Sequence, residues 1–254
     1  MRILIANDDG IHATGIKLLE KIARTFTDDV WVVAPSSEQS GKGRSLTLTQ
    51  PIRTRALDER HHAVSGTPTD AVIMALAVLM KDSPPDLILS GINRGANLGE
   101  DVSYSGTVAA AQEGALAGIR SISLSQCYPK RGQGHDVSFA VAEAWGRRVL
   151  EPLIAMDWAE RTLINVNFPP VAVDDVKGIR IVRQGLRDYG HPGMDKGTDP
   201  RGFDYYWMSL GRVPVTANGD TDLEAAREGY VTVTPLHLDM THEPSRRALE
   251  ALYR

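Results

Sequence analysis

The chain has 254 residues, 42% hydrophobic and 24% charged, with a formal net charge of −4; it is long enough to bury a substantial core without a disulfide or metal staple. The excess of acid over base excludes a general electrostatic grip on nucleic acid, so no nucleic-acid polymer is expected as partner, and a small anionic substrate needs a local positive site. The one cysteine, Cys127, excludes an internal disulfide and any thiolate metal cluster. No secretion signal is read ahead of the first strand, and the longest apolar run, Ala71 to Met80, is far short of the roughly 20 residues of a membrane span. The expectation is a cytoplasmic protein with no membrane partner.

Ile3 to Ala6 is a β-branched and aliphatic run of the kind buried on both faces of a parallel sheet, and Asn7-Asp8-Asp9-Gly10 is a turn signal that ends it. Two carboxylates therefore stand at the carboxyl end of a central strand, the edge where open α/β sheets bind ligands. Side by side, they repel unless a cation or proton compensates them. Ile16, Leu18, Leu19, Ile22, Ala23 and Phe26 follow at helical spacing, and Val30 to Ala34 reads as a second buried strand. Strand, helix and strand make a right-handed βαβ unit, the builder of a parallel sheet.

The loop from Pro35 to Ser45 is rich in hydroxyls and glycine and carries two cations, Lys42 and Arg44; it is either filler or an anion cradle. Leu46-Thr47-Leu48-Thr49 and Ile52-Arg53-Thr54-Arg55 alternate like exposed strands. His62 to Asp70 is a strand end turning into a helix, with Thr67 as N-cap, Pro68 at the first helical position and Asp70 at the third. Ala71 to Met80 is apolar nearly all round, which places that helix between the sheet and something else.

Leu87 to Ser90 is the next buried strand, and the loop Gly91 to Asp101 leaves its carboxyl end on the same edge as Asp8 and Asp9. Tyr104-Ser105-Gly106-Thr107 opens an alanine-rich helix through Leu116, whose first turn, with two hydroxyls and a glycine, is a ready phosphate site. Ser121 to Ser125 is a strand, 128–136 a polar loop, Phe139 to Ala155 a helix, and Leu163 to Phe168 a further strand. From about Val176 the pattern shifts to short alternating runs, Ile179 to Val182 and Phe203 to Met208, separated by the glycine-rich stretch Gly185 to Gly202. These read as hairpins rather than crossover units, and a protruding arm with an aromatic tip packs on another subunit rather than standing in water. A short helix starts at Thr221, Tyr230 to Thr234 is a strand, and Ser245 to Tyr253 is a terminal helix.

With the strand-end loops on one edge, Asp8, Asp9, Ser40 and Asn93 form a ligand set made only of oxygen donors. Such a set suits Mg²⁺ or Mn²⁺ better than Ca²⁺, which wants more ligands. Zinc fits less well, because the seven histidines show no paired ligand spacing. Nucleotide-triphosphate, dinucleotide and serine-hydrolase signatures are absent. The two acids are adjacent rather than two residues apart, which favours direct attack by water over a covalent aspartyl intermediate.

Four blocks carry a family resemblance: Asn7-Asp8-Asp9-Gly10 with Gly15-Ile16; Ala34-Pro35 through Ser40-Gly41 to Ser45-Leu46-Thr47; Ser65-Gly66-Thr67-Pro68-Thr69-Asp70; and Ser90-Gly91-Ile92-Asn93 through Asn97-Leu98-Gly99 to Tyr104-Ser105-Gly106-Thr107-Val108-Ala109-Ala110. Thr234-Pro235-Leu236 matches as well. Through these motifs the chain resembles the stationary-phase survival proteins, the SurE-type 5′/3′-nucleotidases. The resemblance implies an α/β, Rossmann-like, mostly parallel sheet with helices on both faces, in a single domain over 1–254. Residues about 1–175 would form the core with the active site, and about 176–254 a hairpin arm, a short strand and a C-terminal helix. It implies one divalent cation, Mg²⁺ or Mn²⁺, held by Asp8, Asp9, Ser40 and Asn93, with Asp8 and Asp9 also catalytic and Gly41, Asn97, Ser105, Gly106 and Thr107 around the phosphate. The implied activity is hydrolysis of nucleoside 5′- and 3′-monophosphates by metal-activated water, with some action on short polyphosphate. The implied assembly is a homodimer or homotetramer built through the C-terminal arm.

Overall fold

The computed structural model describes residues 1–128, 137–186, 193–209 and 220–253. The expected polar loop over 128–136, apart from its first residue, and the middle of the glycine-rich stretch 185–202 lie outside the described residues. Among the described residues, eleven strands and six α-helices run in the order β1 (Ile3–Ala6), α1 (Thr14–Ala23), β2 (Val30–Pro35), β3 (Thr54–Ala56), β4 (His61–Val64), α2 (Pro68–Met74), β5 (Leu87–Arg94), α3 (Gly106–Leu116), β6 (Arg120–Gln126), α4 (Ala140–Ala155), β7 (Thr162–Phe168), β8 (Gly178–Ile181), β9 (Gly193–Thr198), β10 (Asp204–Ser209), α5 (Asp222–Arg227), β11 (Tyr230–His237) and α6 (Glu243–Leu252).

Nine of these strands form one sheet in the order β3-β4-β2-β1-β5-β6-β7-β11-β8. The pairings from β4 through β7 are parallel, as the βαβ reading requires, and β11 is antiparallel to β7. Every residue of β1 is buried, because the sheet is covered twice. On one face Ile3 and Ile5 meet the apolar stripes of α1 and α4, through Ile16, Leu19, Val141 and Leu150. On the other, Leu4 and Ala6 meet α2 and α3, through Ala71, Val72 and Ala110. Burial of these side chains is the main stabilising term.

The Thr67 cap forms as expected: Asp70 N–H donates to Thr67 Oγ1 at 3.1 Å and Thr67 N–H donates to Asp70 Oδ2 at 2.8 Å, a reciprocal capping box. The helix beyond it runs as α2 and then a π-helical turn over Ala75–Leu79. Ala71, Val72 and Ala75 pack on the sheet, whereas Ile73 and Val78 are exposed on the outer side.

Leu46 to Thr49 forms no strand, because Thr47 is drawn onto the helix cap. Its N–H and hydroxyl donate to the Asp70 carboxylate at 3.1 and 2.6 Å. Only Thr54–Ala56 of that region pairs, as the short edge strand β3. Ile179 to Val182 is not a hairpin strand either: Gly178–Ile181 closes the far edge of the main sheet, parallel to β11. The hairpin expected at Phe203 to Met208 does form, with β10 antiparallel to β9, a partner supplied from the glycine-rich stretch. The sheet therefore does not end near residue 175, since β11 and β8 extend it. Among the described residues no helix is long and apolar enough to cross a membrane.

Candidate active site

The site begins where β1 ends. Asn7 folds the turn by donating from Nδ2 to the Gly10 carbonyl at 2.9 Å and accepting the Gly10 N–H at Oδ1, 3.2 Å. This sends Asp8 toward α3 and Asp9 toward the end of β5. Asp8 is only 4% exposed. Its carboxylate accepts the Thr107 hydroxyl and lies at the positive end of α3, where the helix dipole and first-turn amides favour an anion. The α3 backbone comes close enough that a Cβ on Gly106 would meet Asp8 Cβ at 2.7 Å, Asp8 Oδ2 at 2.9 Å and Pro68 Cγ at 3.0 Å. Glycine at 106 is thus a condition of seating Asp8 against the helix.

Asp9 is half-buried and accepts the Arg94 N–H at Oδ2, 3.1 Å. β5 delivers Arg94 and Asn93 there by an irregular course. Its register against β6 slips between Ser90 and Asn93, across a cis peptide at Gly91-Ile92. Gly91 has φ +141°, and a Cβ there would strike the Leu124 carbonyl at 2.3 Å, so the close strand crossing admits no side chain. The Asn93 amide nitrogen donates to the Gly95 carbonyl at 3.0 Å, a bond that does not use its side-chain oxygen.

The loop after β2 is fastened over the two acids. Gln39 N–H donates to the Asp8 carbonyl at 2.8 Å, Gly43 N–H to the Tyr104 carbonyl at 3.1 Å, and Arg44 pairs with Glu113 of α3 at 3.2 Å. Ser40 is exposed and donates its hydroxyl to Glu38 at 2.8 Å; the same Glu38 oxygen lies 3.6 Å from the Arg94 guanidinium. Ser40 and Gly41 therefore sit one and two residues beyond the tie to Asp8.

Burial pushes the Asp8 carboxyl up to about 6, the hydrogen bond from Thr107 working against that and the charge of Asp9 with it. Burial raises Asp9 too, against the amide and charge of Arg94 and with the charge of Glu38. Two acids both pushed upward favour a bound proton or cation. The donor set fits a hard divalent cation: two carboxylates supply the charge, and Ser40 and Asn93 add neutral oxygens that do not repel an anionic substrate. Among the described residues no group of three or more His, Cys, Asp or Glu side chains is placed to hold a metal.

Of the residues expected around a phosphate, Ser105 caps α3 by accepting the Val108 N–H at 3.1 Å. Thr107 turns its hydroxyl and its amide toward Asp8. Gly41 is exposed with φ +74° and nothing within 4 Å of a built Cβ. Asn97 is 6% exposed and donates from its side chain to Ser125 Oγ at 2.8 Å. Arg94, Glu38 and Asp222 do not stand out in the sequence. Adjacency to Asn93 and Ser40 is the sole signal for the first two. Asp222, fully buried, accepts Gly99 N–H at 2.9 Å and Gly185 N–H at 2.8 Å, tying the loop after Asn97 to the C-terminal third.

The chain matches the family model described as "Survival protein SurE" over residues 3–191. It is 64% identical over 254 residues, the whole of both chains, to a Rhizorhabdus wittichii protein named 5'-nucleotidase SurE. A protein of the same name from Erythrobacter litoralis is 56% identical over 241 residues, 95% of each chain. The crystal structure of the SurE protein from Aquifex aeolicus superposes with a TM-score of 0.83 at 37% identity, covering 100% of both chains.

Proposed function

The chain belongs to the SurE family, and from that premise we propose that it is a phosphoric monoester hydrolase releasing phosphate from nucleoside monophosphates with the help of one divalent cation. The observation that carries this reading is a nearly buried carboxylate, Asp8, raised to about 6 beside Asp9 and seated against the first turn of α3. Asp8, Asp9, the Ser40 hydroxyl and the Asn93 amide oxygen would hold Mg²⁺ or Mn²⁺. Bound there, the cation would supply Lewis acidity toward a phosphoryl oxygen and make a water nucleophilic near neutral pH.

The remaining work falls to the chain itself. The amide of Gly106, the Ser105 hydroxyl, the Gly41 backbone and the Asn97 side chain bind the phosphoryl group and meet charge as it develops. Thr107 fixes one oxygen of Asp8 by its hydrogen bond, so that carboxylate keeps one orientation through the cycle. Arg94 N–H fixes Asp9 through Oδ2; Asp9, the more accessible acid, orients the attacking water and takes its proton. Loop 36–45, fastened at both ends, excludes bulk water from one side.

The test is phosphate release from a panel of nucleoside 5′- and 3′-monophosphates and short polyphosphate, after chelation and with Mg²⁺, Mn²⁺ or Co²⁺ restored. Turnover that vanishes with chelator and returns with a divalent ion is the expected result. Binding of nucleotide with no release under any ion would make the protein a sensor instead.

We propose in addition that the chain works as a dimer or tetramer built through its C-terminal arm. The β9–β10 hairpin exposes Phe203 (69%), Trp207 (72%) and Met208 (67%), and no residue of α6 is buried. An apolar surface of this kind is buried against a partner in stable assemblies. Sedimentation of the intact chain and of Trp207→Ser tests it: an assembly weakened by the substitution is expected, and a monomeric parent overturns it.

A further inference from the structure

Four neighbouring strands of an α/β sheet buried on both faces should present apolar side chains throughout. On the α3 side of this sheet they do not. The register aligns Ser90 of β5, Ser123 of β6, Asn165 of β7 and Thr234 of β11 in one row, and Ser125, Asn167 and Thr232 in the next. All seven are 0–1% exposed. Burying so many polar groups is costly unless they are hydrogen-bonded.

The hydroxyls of Ser90, Thr232 and Thr234 have no hydrogen-bond partner among the described residues; the hydrogen bonds of the other four, Ser123, Ser125, Asn165 and Asn167, converge on Asn97. Asn97 gives its backbone N–H to Asn167 Oδ1 at 2.8 Å, and its carbonyl accepts Nδ2 of Asn165 at 2.8 Å and Nδ2 of Asn167 at 3.1 Å. Ser123 donates to Asn165 Oδ1 at 2.8 Å, which fixes which end of that amide faces Asn97. A side-chain amide offers a donor and an acceptor on one rigid plane, and Asn167 uses both on the backbone of a single residue. The polar rows thus supply what the irregular loop at Asn97 lacks, partners for a buried backbone that no strand or helix satisfies.

We propose that Asn165 and Asn167 are positioning residues for the phosphate: they clamp the backbone of Asn97 so that its side chain, braced on Ser125, meets the phosphoryl group in one geometry. The proposal rests on reading Asn97 as a phosphate contact. Neither asparagine touches substrate; each acts through Asn97.

The experiment is a double-mutant cycle on the full chain, reading KM and kcat for a nucleoside monophosphate, inhibition by inorganic phosphate, and Mn²⁺ affinity. Asn167→Ser is expected to raise KM and weaken phosphate inhibition roughly tenfold, with Mn²⁺ affinity unchanged. In an Asn97→Ser background the same substitution should cost less than about twofold more, because the group it positions is gone. Thr232→Val, which removes a hydroxyl of the same row that has no hydrogen-bond partner among the described residues, should leave all four quantities as in the parent. Unchanged phosphate inhibition in Asn97→Ser would defeat the reading of Asn97 itself. Weakened inhibition in Asn97→Ser with none in Asn167→Ser, or full additivity in the cycle, would overturn the clamp alone. Asn165→Ser, which removes one donor and leaves both bonds of Asn167, repeats the cycle if Asn167→Ser does not fold. Failure of both to fold would assign the pair to folding and overturn the proposal.

Discussion

The hydroxyl of Thr107 donates to the carboxylate of Asp8, joining the first turn of α3 to the end of β1 across 99 residues of sequence. This bond holds a buried acid in place and opposes the upward push that burial exerts on it. Thr107→Val keeps the shape and removes the bond. Because a hydrogen bond to a charged group contributes about 1.5–3 kcal/mol, the variant should bind Mn²⁺ about tenfold or more weakly at pH 6.5. Titration followed by the signal of the free ion measures this.

The metal-free protein should be more stable in mild acid than at neutral pH where Asp8 is concerned. Its carboxyl is raised from 3.8 to about 6 on folding, so the folded state holds the proton more tightly than the unfolded one. That contribution is fully present below pH 3.8 and is lost as pH rises through about 6, a swing of about 3 kcal/mol. Asp8→Asn removes it. At pH 7.5, without metal, the variant should melt above the parent, and a given addition of Mn²⁺ should raise the parent's Tm more than the variant's.

Gly106→Ala tests the close seat of Asp8. Alanine is the better helix former by about 1 kcal/mol, yet its methyl would meet Asp8 Cβ at 2.7 Å. We expect a folded protein destabilised by about 1–3 kcal/mol, with kcat reduced far more than the small Tm change suggests. A kcat equal to that of the parent would show that the contact is slack.

How far the sequence reveals this site depends on whether each signal is local. The strand-to-acid turn at Asp8-Asp9, the Thr67–Asp70 capping box and the Ser105 helix start are all written within a few residues, and each forms as read. Leu46 to Thr49 alternates like a strand, but its fate is set by Asp70 in a later helix. Ile179 to Ile181 looks like a hairpin arm until β11, some fifty residues on, supplies a parallel partner. Asn165, Asn167 and Asp222 are the least legible. Asn-Val-Asn reads as an ordinary alternating strand, and Asp222 as a helix-start acid, because their partners at Asn97 and Gly99 come from a loop far away in the chain.

His61 offers a pH response remote from the site. Burial disfavours its charge, but the bonds and charges of Asp58, at 2.8 Å, and Glu20, at 3.1 Å, outweigh that and raise its pKa. The stabilisation is therefore full below the ordinary histidine value and fades as pH rises through the raised one. His61→Gln should lower stability at pH 6 and have less effect at pH 9, with phosphate release unchanged, as paired denaturation curves would show.

The central claim is that Asp8 and Asp9 make a cation-dependent phosphomonoesterase of this chain. Its most direct test is phosphate release from a nucleoside 5′-monophosphate by chelated parent, Asp8→Asn and Asp9→Asn as Mn²⁺ is restored. The parent should recover, and both variants should need more Mn²⁺ and stay well below its turnover at saturation. Full turnover by either variant, or by the parent in excess chelator, would contradict it.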